Sequence, residues 1–321
     1  MQAIYLALAC LLVAVEARAQ APLRNNDTPG TVFRTGVDLV ALNVVVTDGH
    51  QKFVTGLSMD DFAVYEDGVQ QELSFFAAKD VPLDLALLLD TSASMTDKMA
   101  TMHEAAAGFA ARLRQGDRVS IVDVKDTIKV LHALDDDLGG ADAAIRRTTA
   151  RGGTALYNGL YMTLREMVKQ RRQNGEVRRQ AIAVLSDGED TASLVTVDDV
   201  MDVAKQSGIA LYTITLKSPH QRSANSGSRY FSQSEFAMKA LAQETGARAF
   251  FPATIAELAG VYGAIADELS MQYALGYTSK NPKRDGAFRR VTVRVEDKPG
   301  ARTRTRSGYQ AARPAQVATI Q

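Results

Sequence analysis

The chain has 321 residues, with 37 basic and 37 acidic side chains, a formal net charge of zero and 46% hydrophobic residues. That length suggests about two domains, and the apolar fraction is ample for a packed core. The balanced charge gives no global basic footprint for nucleic acid.

Ile4 to Val15 is an apolar run too short to span a bilayer, and Ala17-Arg18-Ala19 supplies small residues spaced for cleavage before Gln20. Residues 1–19 therefore read as a signal peptide, with an uncleaved anchor as the alternative. The expected location is extracytoplasmic, periplasmic or secreted. Cleavage removes Cys10, the one cysteine, so any metal must be bound without thiolate. No later apolar run is long enough for a transmembrane segment.

Residues 20–36, with Pro22, Asn25, Asn26, Pro29 and Gly30, read as a flexible leader. An N-terminal β segment follows over 37–80. Val37 to Thr47 alternates as a strand before the Asp48-Gly49 turn, and Phe53 to Leu57 is a short extended piece. Ser58 to Asp61 is a capped helical turn. Phe62 to Glu66 meets the hairpin signal Asp67-Gly68, and Val69 to Phe76 returns as its partner strand.

From 81 to 271 strands and helices alternate. Helices are predicted at 98–113, 139–147, 154–170, 196–207, 234–245 and 254–270. Strands are predicted at 83–90, 118–124, 127–131, 181–185, 209–216 and 247–251, with a charged surface loop over 171–179. This grammar predicts an α/β fold with a doubly wound, mostly parallel sheet. Three strands over 272–279, 288–295 and 301–309 form a C-terminal β segment at 272–311, with a tail at 312–321. Neither β segment buries an adequate core alone, so the two are expected to pair as a small β-sandwich into which the α/β domain is inserted, rather than to stand as separate flanking extensions.

Leu83 to Leu89 is a nearly unbroken apolar run that ends in Asp90-Thr91-Ser92-Ala93-Ser94. In a parallel sheet, loops carrying Gly152-Gly153-Thr154 and Ser186-Asp187-Gly188 arrive at the same edge. Asp90, Ser92, Ser94, Thr154 and Asp187 offer two carboxylates and three hydroxyls. Hard oxygen donors of low charge suit Mg²⁺, or less selectively Mn²⁺ and Ca²⁺, and leave a position for an outside ligand. The competing reading makes Asp90 and Thr154 helix N-caps and the serines turn formers.

Asp90-Thr91-Ser92-Ala93-Ser94 resembles the D-x-S-x-S signature of the von Willebrand factor A (VWFA) domain, shared with integrin I domains, and Thr154 and Asp187 match its remaining ligand positions in order and spacing. The flanks resemble bacterial, acidobacterial-type proteins with a VWFA-related domain. Their segments G-L-x-x-x-D-F-x-V-x-E-D-G and G-x-F-R-x-[IV]-x-V…G-Y fall here within Val46 to Gly68 and Gly286 to Tyr309. The resemblance implies a metal-ion-dependent adhesion site (MIDAS). Ser92 and Ser94 would bind the ion directly, Asp90, Thr154 and Asp187 directly or through water, and an Asp or Glu of a protein partner would complete the shell. It also implies a last helix, 254–270, that shifts on binding.

Some residues depart from that pattern or stand outside it. Lys98 follows Asp97 where a second, adjacent metal site would need acidic groups, so none is expected. Glu189 and Asp190 read as a solvated acidic turn or as attractors of cations. The loop from Lys217 to Gln233, with His220, Arg222, Arg229, Tyr230 and Phe231, leaves its strand on the metal face, as a partner-specificity loop or a plain surface loop. Arg302, Arg304 and Arg306 alternate and share one face, either a charge-protected edge or a contact for anionic lipid or polysaccharide. His50, His103, His132 and His220 build no catalytic motif, and no base is visible beside the oxygen ligands. The expected function is non-enzymatic: metal-bridged binding of a protein. An envelope scaffold with a structural metal is the first alternative and a metal-dependent hydrolase the second.

Overall fold

The computed structural model describes residues 39–78, 81–174, 177–187, 190–216 and 233–313. The signal-peptide and leader readings, the loop at 217–232, Glu189 and the tail beyond 313 lie outside the described residues. Val40, Leu42, Val44 and Val46 alternate inward along the strand Leu39–Thr47 (β1). After it, Asp48 Oδ1 accepts from the backbone N–H of His50 and Lys52 and closes the turn. The expected capped turn is the short 3₁₀ turn Met59–Asp61, where the Asp61 carboxylate accepts from the Ser58 N–H and Oγ. Phe62–Glu66 (β2) then folds back on Val69–Gln71 (β3). Asp67 and Gly68 take φ of 47° and 83° between them, the left-handed pair that two-residue hairpins require. The partner strand does not continue to Phe76 as predicted. It breaks at Glu72, and Leu73–Ala77 (β4) joins the opposite sheet. Crossing between sheets at a corner closes a sandwich, a demand that alternation along one strand does not encode.

The α/β part begins with Leu83–Asp90 (β5), buried at all eight positions. A 3₁₀ turn, Ala93–Lys98, leads into Met99–Ala110 (α1). Arg118–Val124 (β6) and Ile128–Asp135 (β7) pair antiparallel, and Leu138–Arg146 (α2) follows. Leu156–Asn174 (α3) runs past the predicted end at Gln170 into the stretch read as a loop, held by Arg171 Nη2 on the carbonyl of Ser207 at 2.9 Å. Arg179–Ser186 (β8), Val197–Ser207 (α4), Ala210–Thr215 (β9), Gln233–Glu244 (α5), Ala249–Phe250 (β10) and Leu258–Ser270 (α6) complete it. Thr196 caps α4 with Asp199, and Gly208 ends it at a φ of 69°. The six-stranded order is β10-β9-β8-β5-β6-β7, parallel except at the β7 edge. Phe109, Ile145 and Tyr262 of α1, α2 and α6 pack on one face of this sheet; Leu160, Val200 and Leu241 of α3, α4 and α5 pack on the other. The expected doubly wound α/β class is what the chain adopts.

Tyr273–Thr278 (β11), Phe288–Val295 (β12), Arg302–Arg304 (β13) and Gly308–Gln310 (β14) follow. The predicted strand at 301–309 is therefore two, one in each flanking sheet. Those sheets have the orders β13-β1-β11-β4 and β14-β12-β2-β3, so both ends of the chain contribute to each. Val44, Leu275, Val64 and Val293 fill the space between them, with Phe62, Phe76 and Tyr273 as an aromatic cluster.

At the sandwich margin the buried Glu66 carboxylate accepts from Tyr277 OH at 2.9 Å, Tyr309 OH at 2.9 Å and Ser279 Oγ at 2.6 Å, with Arg289 Nη1 at 3.3 Å. Where the sandwich meets the α/β part, Arg304 Nη1 donates to the Gly246 carbonyl at 2.6 Å, and its Nη2 lies 2.5 Å from Glu268 Oε2 of α6. Ser307 Oγ donates to Glu244 Oε2 of α5 at 2.5 Å, and Arg306 stacks over Tyr309. Neither reading of the arginine row holds for Arg304, which is an internal tie to the last helix.

Candidate functional site

β5 lies mid-sheet, with β6 on one side and β8 on the other, so chain order reverses at its carboxyl end, the position where open α/β sheets hold ligands. Three loops meet there. In the first, Asp90 is fully buried; its Oδ1 accepts from the Ser92 N–H at 2.9 Å and its Oδ2 from Ser186 Oγ at 2.6 Å. Ser92 is buried, Ser94 is exposed, and their Oγ atoms stand 3.0 Å apart. The second loop is stitched to the first by Ala93 N–H to the Gly152 carbonyl at 3.0 Å and Arg151 N–H to the Thr91 carbonyl at 2.9 Å. Gly152 has a left-handed φ of 68°, and a Cβ on Gly153 would lie 2.9 Å from Thr191 Oγ1, so both positions need glycine. Thr154 is buried behind them. Its N–H donates to Thr191 Oγ1 at 3.0 Å and its carbonyl accepts from Thr191 and Ala192, which joins the second loop to the third. The third loop carries Asp187. Lys98 Nζ lies 3.7 Å from Asp187 Oδ2 and donates to the Ser94 carbonyl at 3.1 Å.

Asp90, Ser92, Ser94, Thr154 and Asp187 thus stand at one sheet edge on mutually bonded loops. Among the described residues no cluster of three or more His, Cys, Asp or Glu is placed to hold a metal ion, so a cation here depends on hydroxyl donors as well as carboxylates. The donors fit a small hard cation. Ser92 Oγ and Ser94 Oγ share a hydrogen bond at 3.0 Å, which holds two neutral hydroxyl oxygens side by side, the donor type that hard cations take. Asp90 is a buried carboxylate that accepts from two neutral donors, the Ser92 N–H and Ser186 Oγ.

Burial raises the Asp90 carboxyl above its ordinary range. Hydrogen bonds from Ser186 and Ser92 oppose the shift, and the nearby Asp187 charge adds to it. A raised folded-state pKa contributes stability below the unfolded value of 3.8 and loses it as pH rises through the folded value. At neutral pH without metal the ionised Asp90 is therefore a cost. Asp90→Asn is expected to raise the melting temperature in EDTA at pH 7, by differential scanning calorimetry, and the gain should shrink as the pH falls towards 4. A lower melting temperature would contradict this.

Several supporting residues carry no motif. Thr91 Oγ1 donates to Asp123 Oδ1, and Asp123 pairs with Lys125 at 2.9 Å, both buried at the end of β6. Lys125 Nζ also reaches the Thr149 carbonyl at 3.0 Å, so this pair fixes the backbone beneath the first two loops. Two charges closing an apolar strand are the sequence signal that could have found them. Asp190 is neither a solvated turn residue nor, in this arrangement, free to attract cations. Its carboxylate accepts from the N–H of Tyr157 and Ser193 and from Ser193 Oγ, while Ser193 Oγ accepts from the Asn158 N–H. Asp190 and Ser193 therefore satisfy the first-turn donors of α3, the capping role that the competing reading gave Thr154.

The chain shares 36% identity over 112 residues with the uncharacterized protein sll0103 of Synechocystis sp., an alignment covering 34% of this chain and 26% of that one. The chain thus spans about a quarter of that relative's length. Among solved structures it is similar to proximal thread matrix protein 1 of the mussel byssus (TM-score 0.47, 14% identity, 60% of this chain and 50% of that one). It is also similar to the vWF domain of the type V pili tip protein Mfa5 from Porphyromonas gingivalis (TM-score 0.47, 15% identity, 60% of this chain and 96% of that one). The family model of the von Willebrand factor type A domain matches residues 84–259, from the second residue of β5 into the start of α6. That match takes in all three loops and more than half of the sequence, and the chain belongs to the von Willebrand factor type A domain family.

Proposed function

We propose that this chain is an exported VWFA-domain binding protein. It engages a protein partner through a divalent metal, Mg²⁺ or else Mn²⁺ or Ca²⁺, at a metal-ion-dependent adhesion site. Ser92 and Ser94 hold the ion directly, and Asp90, Thr154 and Asp187 hold it directly or through water. When bound, the ion offers a coordination position to an Asp or Glu of the partner. The observation that carries this reading is the convergence of five oxygen-bearing residues on three interlocked loops at the carboxyl end of β5. In this reading the VWFA domain occupies residues 81–271, and the segments 37–80 and 272–311 belong together as a sandwich that presents it. Export rests on the apolar run from Ile4 to Val15 and the small residues around Ala19.

The test is capture of partners from an envelope extract by the full chain in Mg²⁺ and in EDTA. Asp187→Ala is expected to lose the Mg²⁺-dependent fraction by at least tenfold, and undiminished capture in EDTA would overturn the reading. The ties of Arg304 and Ser307 to α6 and α5 favour a second reading, an envelope scaffold in which sandwich and VWFA domain act as one block. Capture that survives both EDTA and Asp187→Ala, with a melting temperature still lowered by EDTA, would select it.

A further inference from the structure

Lys98 is the last residue of the 3₁₀ turn that carries Ser94, and its side chain turns back over the site. Its ammonium sits 3.7 Å from Asp187 Oδ2, donates to the Ser94 carbonyl at 3.1 Å and lies 3.9 Å from Met95 Sδ. The two paired side chains are 19% and 7% exposed, so solvent screens this pair less than an open surface pair. A backbone carbonyl and a carboxylate from two different loops fix the lysine in place, and that carboxylate belongs to one of the five candidate ligands.

We infer that Lys98 is a built-in competitor for Asp187 that sets the divalent-cation affinity of this site. The inference rests on the proposed reading of the five residues as a cation site. Two positive centres cannot share one carboxylate at this range without mutual repulsion. Even at an effective dielectric of about 20 to 40, a single charge about 5 Å from a divalent ion weakens its binding by an order of magnitude or more. A cation at this site would therefore compete with the ammonium for Asp187. Lys98 also neutralises Asp187 when no cation is bound, which ties the first and third loops together without one. The lysine thus lowers the affinity of the site while protecting its shape.

Equilibrium titration of the full chain with Mg²⁺, by calorimetry, separates the possibilities. Lys98→Gln is expected to bind Mg²⁺ at least tenfold more tightly than the unaltered chain. It should melt at a lower temperature in EDTA and at an equal or higher one in saturating Mg²⁺. Lys98→Arg, which keeps the charge, is expected to stay within about threefold of the unaltered chain. A plain packing role for Lys98 would lower the melting temperature under both conditions and leave the Mg²⁺ affinity unchanged, and that result overturns the inference. Equal affinity in Lys98→Gln and the unaltered chain, with binding lost in Asp187→Ala, removes the competitor and leaves the metal site standing. Absence of Mg²⁺ binding in every variant overturns both. If Lys98→Gln binds where the unaltered chain does not, the competitor is established in its strongest form.

Discussion

Glu66→Ala is expected to destabilise the chain by about 4 kcal/mol, the cost of leaving a buried partner charge unpaired. In a domain of this size that corresponds to a fall of roughly 10 °C in melting temperature. The mutation leaves Arg289, which is 4% exposed, without its carboxylate partner and with neutral acceptors such as the Asn281 and Lys283 carbonyls and the Ser279 hydroxyl. It also removes the acceptor shared by Tyr277, Tyr309 and Ser279. Burial and the adjacent Glu66 carboxylate both push the Tyr277 phenol up, so it remains a donor throughout the working range. Glu66→Gln keeps an acceptor of the same size and should lose about half as much. Urea unfolding at pH 7 checks both, and a loss below about 1 kcal/mol for the alanine variant would mean that the network is not holding the sandwich.

The second large effect is expected at the tie between the sandwich and the last helix. Glu268 of α6 is 1% exposed; it accepts from Tyr212 OH at 2.7 Å and lies 2.5 Å from Arg304 and 3.8 Å from Arg248. Burial, with the Glu268 charge beside it, holds the Tyr212 phenol well above its ordinary range and keeps its proton in place. Arg304→Ala is expected to cost about 3 kcal/mol, at the low end for a buried pair because Arg304 is 31% exposed. In a Glu268→Gln background the same substitution should cost about 1 kcal/mol. The difference is the coupling that a double-mutant cycle reads, and equal costs in the two backgrounds would remove the ion pair from the account. Arg179 on the Leu269 carbonyl and Arg112 near Asp267 hold the same stretch of α6. A shift of the last helix on binding, as the family resemblance implies, has to break these ties. Arg304→Ala should therefore loosen α6 as well as destabilise it.

Local signals were the legible ones. Asp90, Ser92 and Ser94 alternate at the end of an apolar run, and Thr154 and Asp187 match the remaining ligand positions of the family the chain resembles, so the five could be named together. The Thr196–Asp199 capping box and the Asp67-Gly68 hairpin were readable for the same reason, since each is closed within four residues. What the sequence hid lies at long range. Ser186 meets Asp90 across 96 positions, and Glu66 meets Arg289 across 223. The two flanking motifs contain Glu66, Arg289 and Tyr309, but nothing in their spacing says that these three share a network. The end of α3 is not legible because Arg171, Arg172 and Gln173 have no apolar period yet favour helix. The break at Glu72 is not legible because the apolar residues on both sides of it, Val69 and then Leu73, Phe75 and Phe76, favour strand.

The weaving of both chain ends into each flanking sheet makes the order of synthesis matter. β1 pairs with β11 and β13, and β2 with β12, across more than 200 residues of intervening chain. Until β11 and β12 emerge, β1 and the β2–β3 hairpin have no sheet to join, and their apolar faces and unpaired edges stay open to other chains. The VWFA sheet, whose strands lie close together in sequence, can close first and bring those ends together, which shortens the effective loop that the sandwich must close. A VWFA sheet that closes first is also the template on which its own pedestal folds.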